Sequence, residues 1–170
     1  MSQTTPGSRT RVLVIGGGPA GSITASLLAR EKVETTVLEK EKFPRYHIGE
    51  SLLTAIHPVL QLAGLSEKVD NFGFVKKYSG FFRVRQGTPA GHVDFRRNKL
   101  YKYSYQVRRS EFDQLLLDHA REQGAQVFEE TAVQDIIFDK DRPVAVDWSH
   151  SSGQKGRTTF DYLVGASGLS

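Results

Sequence analysis

Residues 16–21 read Gly-Gly-Gly-Pro-Ala-Gly, directly after the apolar run Val12-Leu13-Val14-Ile15. A short all-apolar run of this kind suits a strand buried on both faces of a parallel sheet. Ser22 to Arg30 then spaces its apolar residues as a helix does, and Thr35–Leu38 is a β-branched strand ending at Glu39, 18 residues after Gly21. Strand, glycine turn, helix, strand and terminal acid form a βαβ unit, and that order restricts the chain to an α/β fold with a parallel sheet. Gly16, Gly18 and Gly21 fit the dinucleotide-binding pattern, each with a physical task. Gly16 permits the tight turn, Gly18 lets backbone approach a pyrophosphate, and Gly21 lets helix and strand pack closely. Pro19 suits the first helical turn because its missing N–H has no helical partner there. The N–H groups of Ala20 and Gly21 are free to face phosphate, aided by the helix dipole. Glu39 is placed to accept hydrogen bonds from ribose hydroxyls and to repel a 2′-phosphate. Gly16, Gly17, Gly18, Ala20, Gly21 and Glu39 are therefore candidate cofactor contacts.

The segment Glu41 to Ser51, EKFPRYHIGES, is too polar for a core strand and too irregular for a helix. Placed behind the ribose acid, it suggests a strap over a long cofactor, with Arg45 facing phosphate and Glu50 or Ser51 hydrogen-bonding the ligand. Ser51 to Leu65 reads as a helix with Ser51 as N-cap. Strand-like alternation follows in FFRVR, HVDF and YKYSYQV, which puts Tyr101, Tyr103 and Tyr105 on one face. Ser110 to Gln123 is an amphipathic helix stopped by Gly124. AQVFEE, VQDIIFD, VAVDW and TTFDYLVGA are further strands, with a hairpin turn over Gly153–Arg157.

The 170 residues support one core, and a single domain over 11–170 is expected. Residues 1–10 lack the apolar core of a signal peptide and are expected to be a flexible leader. No apolar run is long enough for a membrane span, and a cytoplasmic location is expected. With no cysteine, disulfides and thiolate chemistry are excluded, and the five histidines show no metal-ligand spacing. The net charge of +4 is local: ten basic residues and one acid, Asp94, lie between Lys76 and Arg109, interleaved with seven aromatics. A solvated sheet face accounts for that composition, as does an anionic cofactor. A nucleic-acid partner is not expected.

Taken in order, GGGPAGS, FPRYHIGESLL, GFVKKYSGFF, VRRSEFDQLLLDHA and FDYLVGASG resemble the N-terminal part of flavin-dependent halogenases acting on phenolic and pyrrole-type natural products. The likeness runs over residues 11–168. It implies a Rossmann-like FAD-binding domain of the flavin monooxygenase and halogenase superfamily, a parallel sheet with helices and attached antiparallel strands. It also implies that reduced FAD, oxygen and chloride or bromide yield hypohalous acid, which a lysine presents to an electron-rich aromatic substrate, free or carrier-bound. A separate flavin reductase would supply the reduced cofactor. The position of that lysine matches Lys77, with Lys76 as its neighbour, and Arg109 matches an arginine near the cofactor.

The match has departures. Gly165-Ala166-Ser167-Gly168-Leu169 stands where the family reads Asp-Ala-Ser-Gly-Arg, and Ser79-Gly80 alters a small-residue pair. The second flavin motif, the tryptophan signature and the halide site are not in the sequence, and the chain is expected to be inactive by itself. An FAD-dependent monooxygenase of the same fold and a non-catalytic flavoprotein remnant stay open as alternatives.

Overall fold

A computed structural model describes residues 5–168. Its elements run β1 (Arg9–Ile15), α1 (Pro19–Arg30), β2 (Thr35–Leu38), α2 (Ile56–Ala63), α3 (Ser66–Phe72), β3 (Val75–Lys77), β4 (Ser79–Phe82), β5 (Gly91–Asp94), a 3-10 turn (Phe95–Arg97), β6 (Ser104–Gln106), α4 (Arg109–Glu122), β7 (Gln126–Phe128), β8 (Thr131–Asp139), β9 (Arg142–His150) and β10 (Lys155–Gly165). Within the chain, two compact units are distinguished. The first comprises residues 1–46 and 113–170, and the second residues 47–112.

The first unit is built on a six-stranded sheet ordered β7-β2-β1-β10-β9-β8. Strands β7, β2, β1 and β10 are parallel, and β9 and β8 continue the sheet antiparallel. This is the expected parallel centre with antiparallel strands attached. Strand β1 lies between β2 and β10, so its alternate side chains enter two cores. Val12 and Val14 pack with Ala25 and Ala29 of α1, Val37 and Ala120 of α4. Leu13 packs on the other face with Leu38, Phe128, Val146, Trp148 and Phe160. Small alanines on α1 and α4 let those helices lie close to the sheet.

Strand β1 begins inside the stretch expected to be a flexible leader. Thr10 is buried and pairs with Phe160. The carbonyls of Gly7 and Ser8 accept hydrogen bonds from Thr158 Oγ1 and the Thr159 N–H, at 2.8 and 2.9 Å. Residues 1–4 of that leader, and Leu169 and Ser170 at the end of the chain, lie outside the described residues. The β9–β10 turn falls earlier than expected, at His150–Gly153, because Lys155, Gly156 and Arg157 already pair with Ser149, Trp148 and Asp147.

The second unit holds two small antiparallel pairs, β3 with β6 and β4 with β5, beside α2 and α3. The helix expected from Ser51 starts only at Ile56, capped by Ala55 with no side-chain hydrogen bond. Residues 50–52 are instead laid along β6: Ser51 bridges Gln106, Leu52 N–H donates to the Tyr105 carbonyl at 3.0 Å, and Val107 N–H donates to the Glu50 carbonyl at 2.9 Å. A backbone committed to a strand edge cannot also open a helix. The strand expected over 101–107 is shortened to β6, because Asn98 Oδ1 accepts from the Leu100 and Tyr101 N–H groups and forms a turn there. Tyr101, Tyr103 and Tyr105 nevertheless converge, each with its ring 4.8–5.4 Å from the His57 ring.

Candidate functional site

In the first unit the glycine turn joins β1 to α1. Gly16 has φ +102°, and a Cβ there would stand 2.5 Å from the Ala166 carbonyl oxygen. A Cβ on Gly21 would stand 1.9 Å from the Gly16 carbonyl oxygen. These two positions accept no side chain, for the reasons the spacing predicts. Gly18 differs. It caps α1 in extended backbone, at φ −66° and ψ −176°, with Pro19 following as the first helical residue. A Cβ on Gly18 would meet, within 4 Å, only Arg45 Nη2 at 3.6 Å. The fold does not require glycine there, so the open face of Gly18 is available to a ligand. Beside it lie the first-turn N–H groups of Ala20 and Gly21, which have no partner within the helix.

Glu39 is 4% exposed at the end of β2. Its Oε2 accepts from the Gly17 N–H at 2.6 Å and its Oε1 from the Glu41 N–H at 2.8 Å. The carboxylate therefore ties the turn to the strand end, and each oxygen retains a further lone pair for a hydroxyl donor. Arg45 folds back over the Phe43 ring, its guanidinium carbon 4.6 Å from the centroid. Glu41 Oε2 lies 2.9 Å from Arg45 Nε and Asp113 Oδ2 lies 3.5 Å from Nη1, yet neither contact has hydrogen-bond geometry. The nitrogen next to Gly18 is Nη2, while Nε and Nη1 lie against the two carboxylates; a guanidinium edge beside the turn fits the pyrophosphate of a dinucleotide.

Asp113, fully buried on α4, was not among the expected residues. An acid in the second turn of an amphipathic helix is the only sequence signal for it, and its partner is 68 positions away. Glu129 was missed similarly. It accepts from the Phe43 N–H at 2.5 Å and from Arg121 at 2.6 Å, which fixes the start of the polar segment.

In the second unit, Arg109 opens α4 and its Nη1 donates to the Ile48 carbonyl at 2.8 Å. The same nitrogen would stand 3.2 Å from a Cβ on Gly49. Glu50 is exposed, its carbonyl engaged by Val107. The paired lysines occupy β3 and, by strand alternation, face opposite ways. Lys76 Nζ is 2.9 Å from Asp70 Oδ1 and 4.4 Å from the Tyr103 ring centroid. Lys77 Nζ donates to Ser51 Oγ and lies 5.6 Å from the Phe95 ring centroid. Their titration diverges accordingly. Hydrogen bonds to Asp70 and Tyr103 raise the Lys76 ammonium, whereas burial lowers Lys77 from its ordinary value. Burial favours the charged form of Asp70 less, but hydrogen bonds from Lys76, Tyr105 and Tyr103 outweigh it and hold that carboxyl below its ordinary value. Much of the basic stretch is satisfied locally: Arg96 pairs with Asp94, Arg108 with Glu111, and Lys102 caps the carbonyls of Arg96 and Asn98.

A family model described as an FAD binding domain matches residues 9–170. The chain belongs to that family. Its cofactor is FAD. Over 164 residues the sequence is 46% identical to a flavin-dependent halogenase of Armillaria mellea, covering 95% of this chain and 32% of that protein. It is 44% identical over 180 residues to the sulochrin halogenase of Aspergillus terreus, covering 95% of this chain and 33% of that one. Among solved structures, the myxobacterial chondrochloren halogenase CndH superposes with a TM-score of 0.86 at 35% identity, covering 95% of this chain and 38% of that one. The chain thus resembles the N-terminal part of flavin-dependent halogenases and spans about a third of the length of the curated relatives it matches. Among the described residues, no helix is long and apolar enough to cross a membrane.

Proposed function

We propose that this chain is the FAD-binding part of a flavin-dependent halogenase that places chlorine or bromine on an electron-rich, phenolic small molecule. The observation that carries this reading is the division of labour in β3. Lys76 is tied to an acid, while its neighbour Lys77 is held by a hydroxyl and biased by burial towards the neutral amine. Reduced FAD, once bound, supplies with oxygen and halide the electrophilic halogen. The chain's own residues do the rest. The open face of Gly18, the Ala20 and Gly21 N–H groups and the Arg45 guanidinium hold pyrophosphate, and Gly16, Gly17 and Glu39 shape the turn. Glu39 also accepts from ribose hydroxyls.

Lys77 holds hypohalous acid by hydrogen bond as the ammonium. As the neutral amine it takes the halogen on nitrogen with release of water, and a lowered pKa enlarges the neutral fraction that can do so. The substrate is free or carrier-bound, and a separate reductase provides reduced flavin. Dependence on flavin reduced elsewhere in the cell goes with the cytoplasmic location expected above.

The test is to graft residues 1–170 in place of the matching third of the Armillaria mellea halogenase and supply reduced FAD, oxygen, chloride or bromide and a phenol. Halogenated product supports the reading. Hydroxylated product with no halogenated product would replace it with a monooxygenase of the same fold.

A further inference from the structure

Ser51 sits in the polar segment next to Glu50, and its side chain is the acceptor for Lys77. The contact is built from both sides. Gln106 of β6 pairs with Val75 of β3 along one edge and with Ser51 along the other. The Leu52 N–H to Tyr105 carbonyl bond and the Val107 N–H to Glu50 carbonyl bond, at 3.0 and 2.9 Å, flank that bridge. Ser51 is therefore placed by backbone pairing rather than by a mobile loop. Lys77 is opposite Ser104 of β6, and its stem spans the width of that strand to reach Ser51.

The register of β3 is held independently. Lys76 points the other way, to Asp70, which also accepts from Tyr105 Oη at 2.9 Å and Tyr103 Oη at 3.1 Å. A one-residue slip of β3 would reverse both lysines and break the Lys76–Asp70 and Lys77–Ser51 contacts.

We infer that Ser51 is a positioning residue for Lys77, fixing its ammonium through a hydroxyl carried on the same segment that holds Gly49 and Glu50. This rests on the role proposed for Lys77. It adds that residues 49–51 and the lysine are mechanically one piece: movement of this segment moves the lysine's hydroxyl anchor on it. The hydroxyl stabilises the charged amine as acceptor, opposing the burial that favours the neutral form.

The test titrates the two lysine side-chain amines by 15N–1H NMR of their Nζ groups in the chain, with Ser51→Ala and Ser51→Thr. In Ser51→Ala the Lys77 midpoint falls and the Lys76 midpoint stays, because Lys76 answers to Asp70. Ser51→Thr keeps a hydroxyl and restores the Lys77 midpoint. Should Ser51→Ala move the Lys76 midpoint as well, the second unit is disturbed. Ser51→Cys, a weaker acceptor of similar size, then takes its place and must lower Lys77 alone. An unchanged Lys77 midpoint in the variant that keeps Lys76 in place overturns the inference. So does a variant that weakens FAD affinity while leaving Lys77 unmoved, since Ser51 would then be a cofactor contact. In the graft, Ser51→Ala should reduce halogenated product roughly tenfold or more even though the neutral fraction of Lys77 rises, because the amine loses its fixed position, with flavin affinity retained. Failure of the proposed function reads differently: Lys77→Met would retain product whatever the Ser51 titrations show.

Discussion

Gly18→Ala and Gly21→Ala separate the fold from the cofactor site, because the two glycines are needed for different reasons. A Cβ on Gly21 lands 1.9 Å from the Gly16 carbonyl oxygen, so α1 and the turn must part by more than an ångström. Overpacking of that kind costs about 1–3 kcal/mol or more. Alanine's better helix propensity offsets about 1 kcal/mol of it. A net loss of roughly 2 kcal/mol lowers Tm by about 4–8 °C in a chain of this size.

A Cβ on Gly18 meets only the end of the Arg45 side chain at 3.6 Å, and its backbone is extended. The change at this capping position costs up to about 1 kcal/mol, so Tm moves by at most about 2–4 °C. The methyl nevertheless stands where pyrophosphate must approach. Loss of one charge-assisted hydrogen bond, about 1.5–3 kcal/mol, weakens FAD binding roughly 10- to 100-fold. Thermal melts followed by circular dichroism and FAD titrations followed by flavin fluorescence read the two effects separately. Gly18→Ala with full FAD affinity would refute the pyrophosphate assignment. Gly21→Ala with unchanged Tm would refute the close packing of α1.

Glu39→Gln removes the charge behind the Gly17 and Glu41 hydrogen bonds and the ribose contact; FAD affinity should fall about tenfold or more by titration, and no change would remove the ribose role. Lys77 should react with an amine-acylating reagent at lower pH than Lys76, because burial lowers the first and Asp70 raises the second; peptide mapping across a pH series that found Lys76 labelled first would contradict this. Hydrogen bonds from Arg96 hold Asp94 down to about 2 from the usual 3.8, so its cap on the 3-10 turn is fully present above the higher value and is lost as pH falls through the lower one. The Arg96 amide resonance should report that loss, and Asp94→Asn should abolish the pH dependence.

The βαβ unit was legible because its evidence is local: an apolar strand, glycines at fixed spacing and an acid at the next strand end. Gly16 and Gly21 have no room for a Cβ, as their spacing requires. Ser51 was misread because a serine before an apolar run is a good N-cap by local rules, and the β6 edge that claims its backbone lies more than 50 positions away. The two compact units carry no local mark in the sequence. Residues 47–112 form their own small sheets from β3–β6 and β4–β5, and nothing in composition marks the borders. Strand alternation makes Lys76 and Lys77 face opposite ways. Which one would be tied to an acid was not legible, because Asp70 comes from α3, a helix the sequence reading did not pick out. Asp113 and Glu129 escaped because their work is done on the distant residues Arg45 and Phe43.

The most direct test of the account compares Lys77→Met with Lys76→Met in the grafted halogenase, measuring FAD affinity, oxygen consumption and halogenated product together. Lys77→Met should bind FAD and consume oxygen as before while product disappears, and Lys76→Met should retain product. Product lost with Lys76→Met and kept with Lys77→Met would contradict the assignment, as would FAD affinity and product falling in proportion with Lys77→Met.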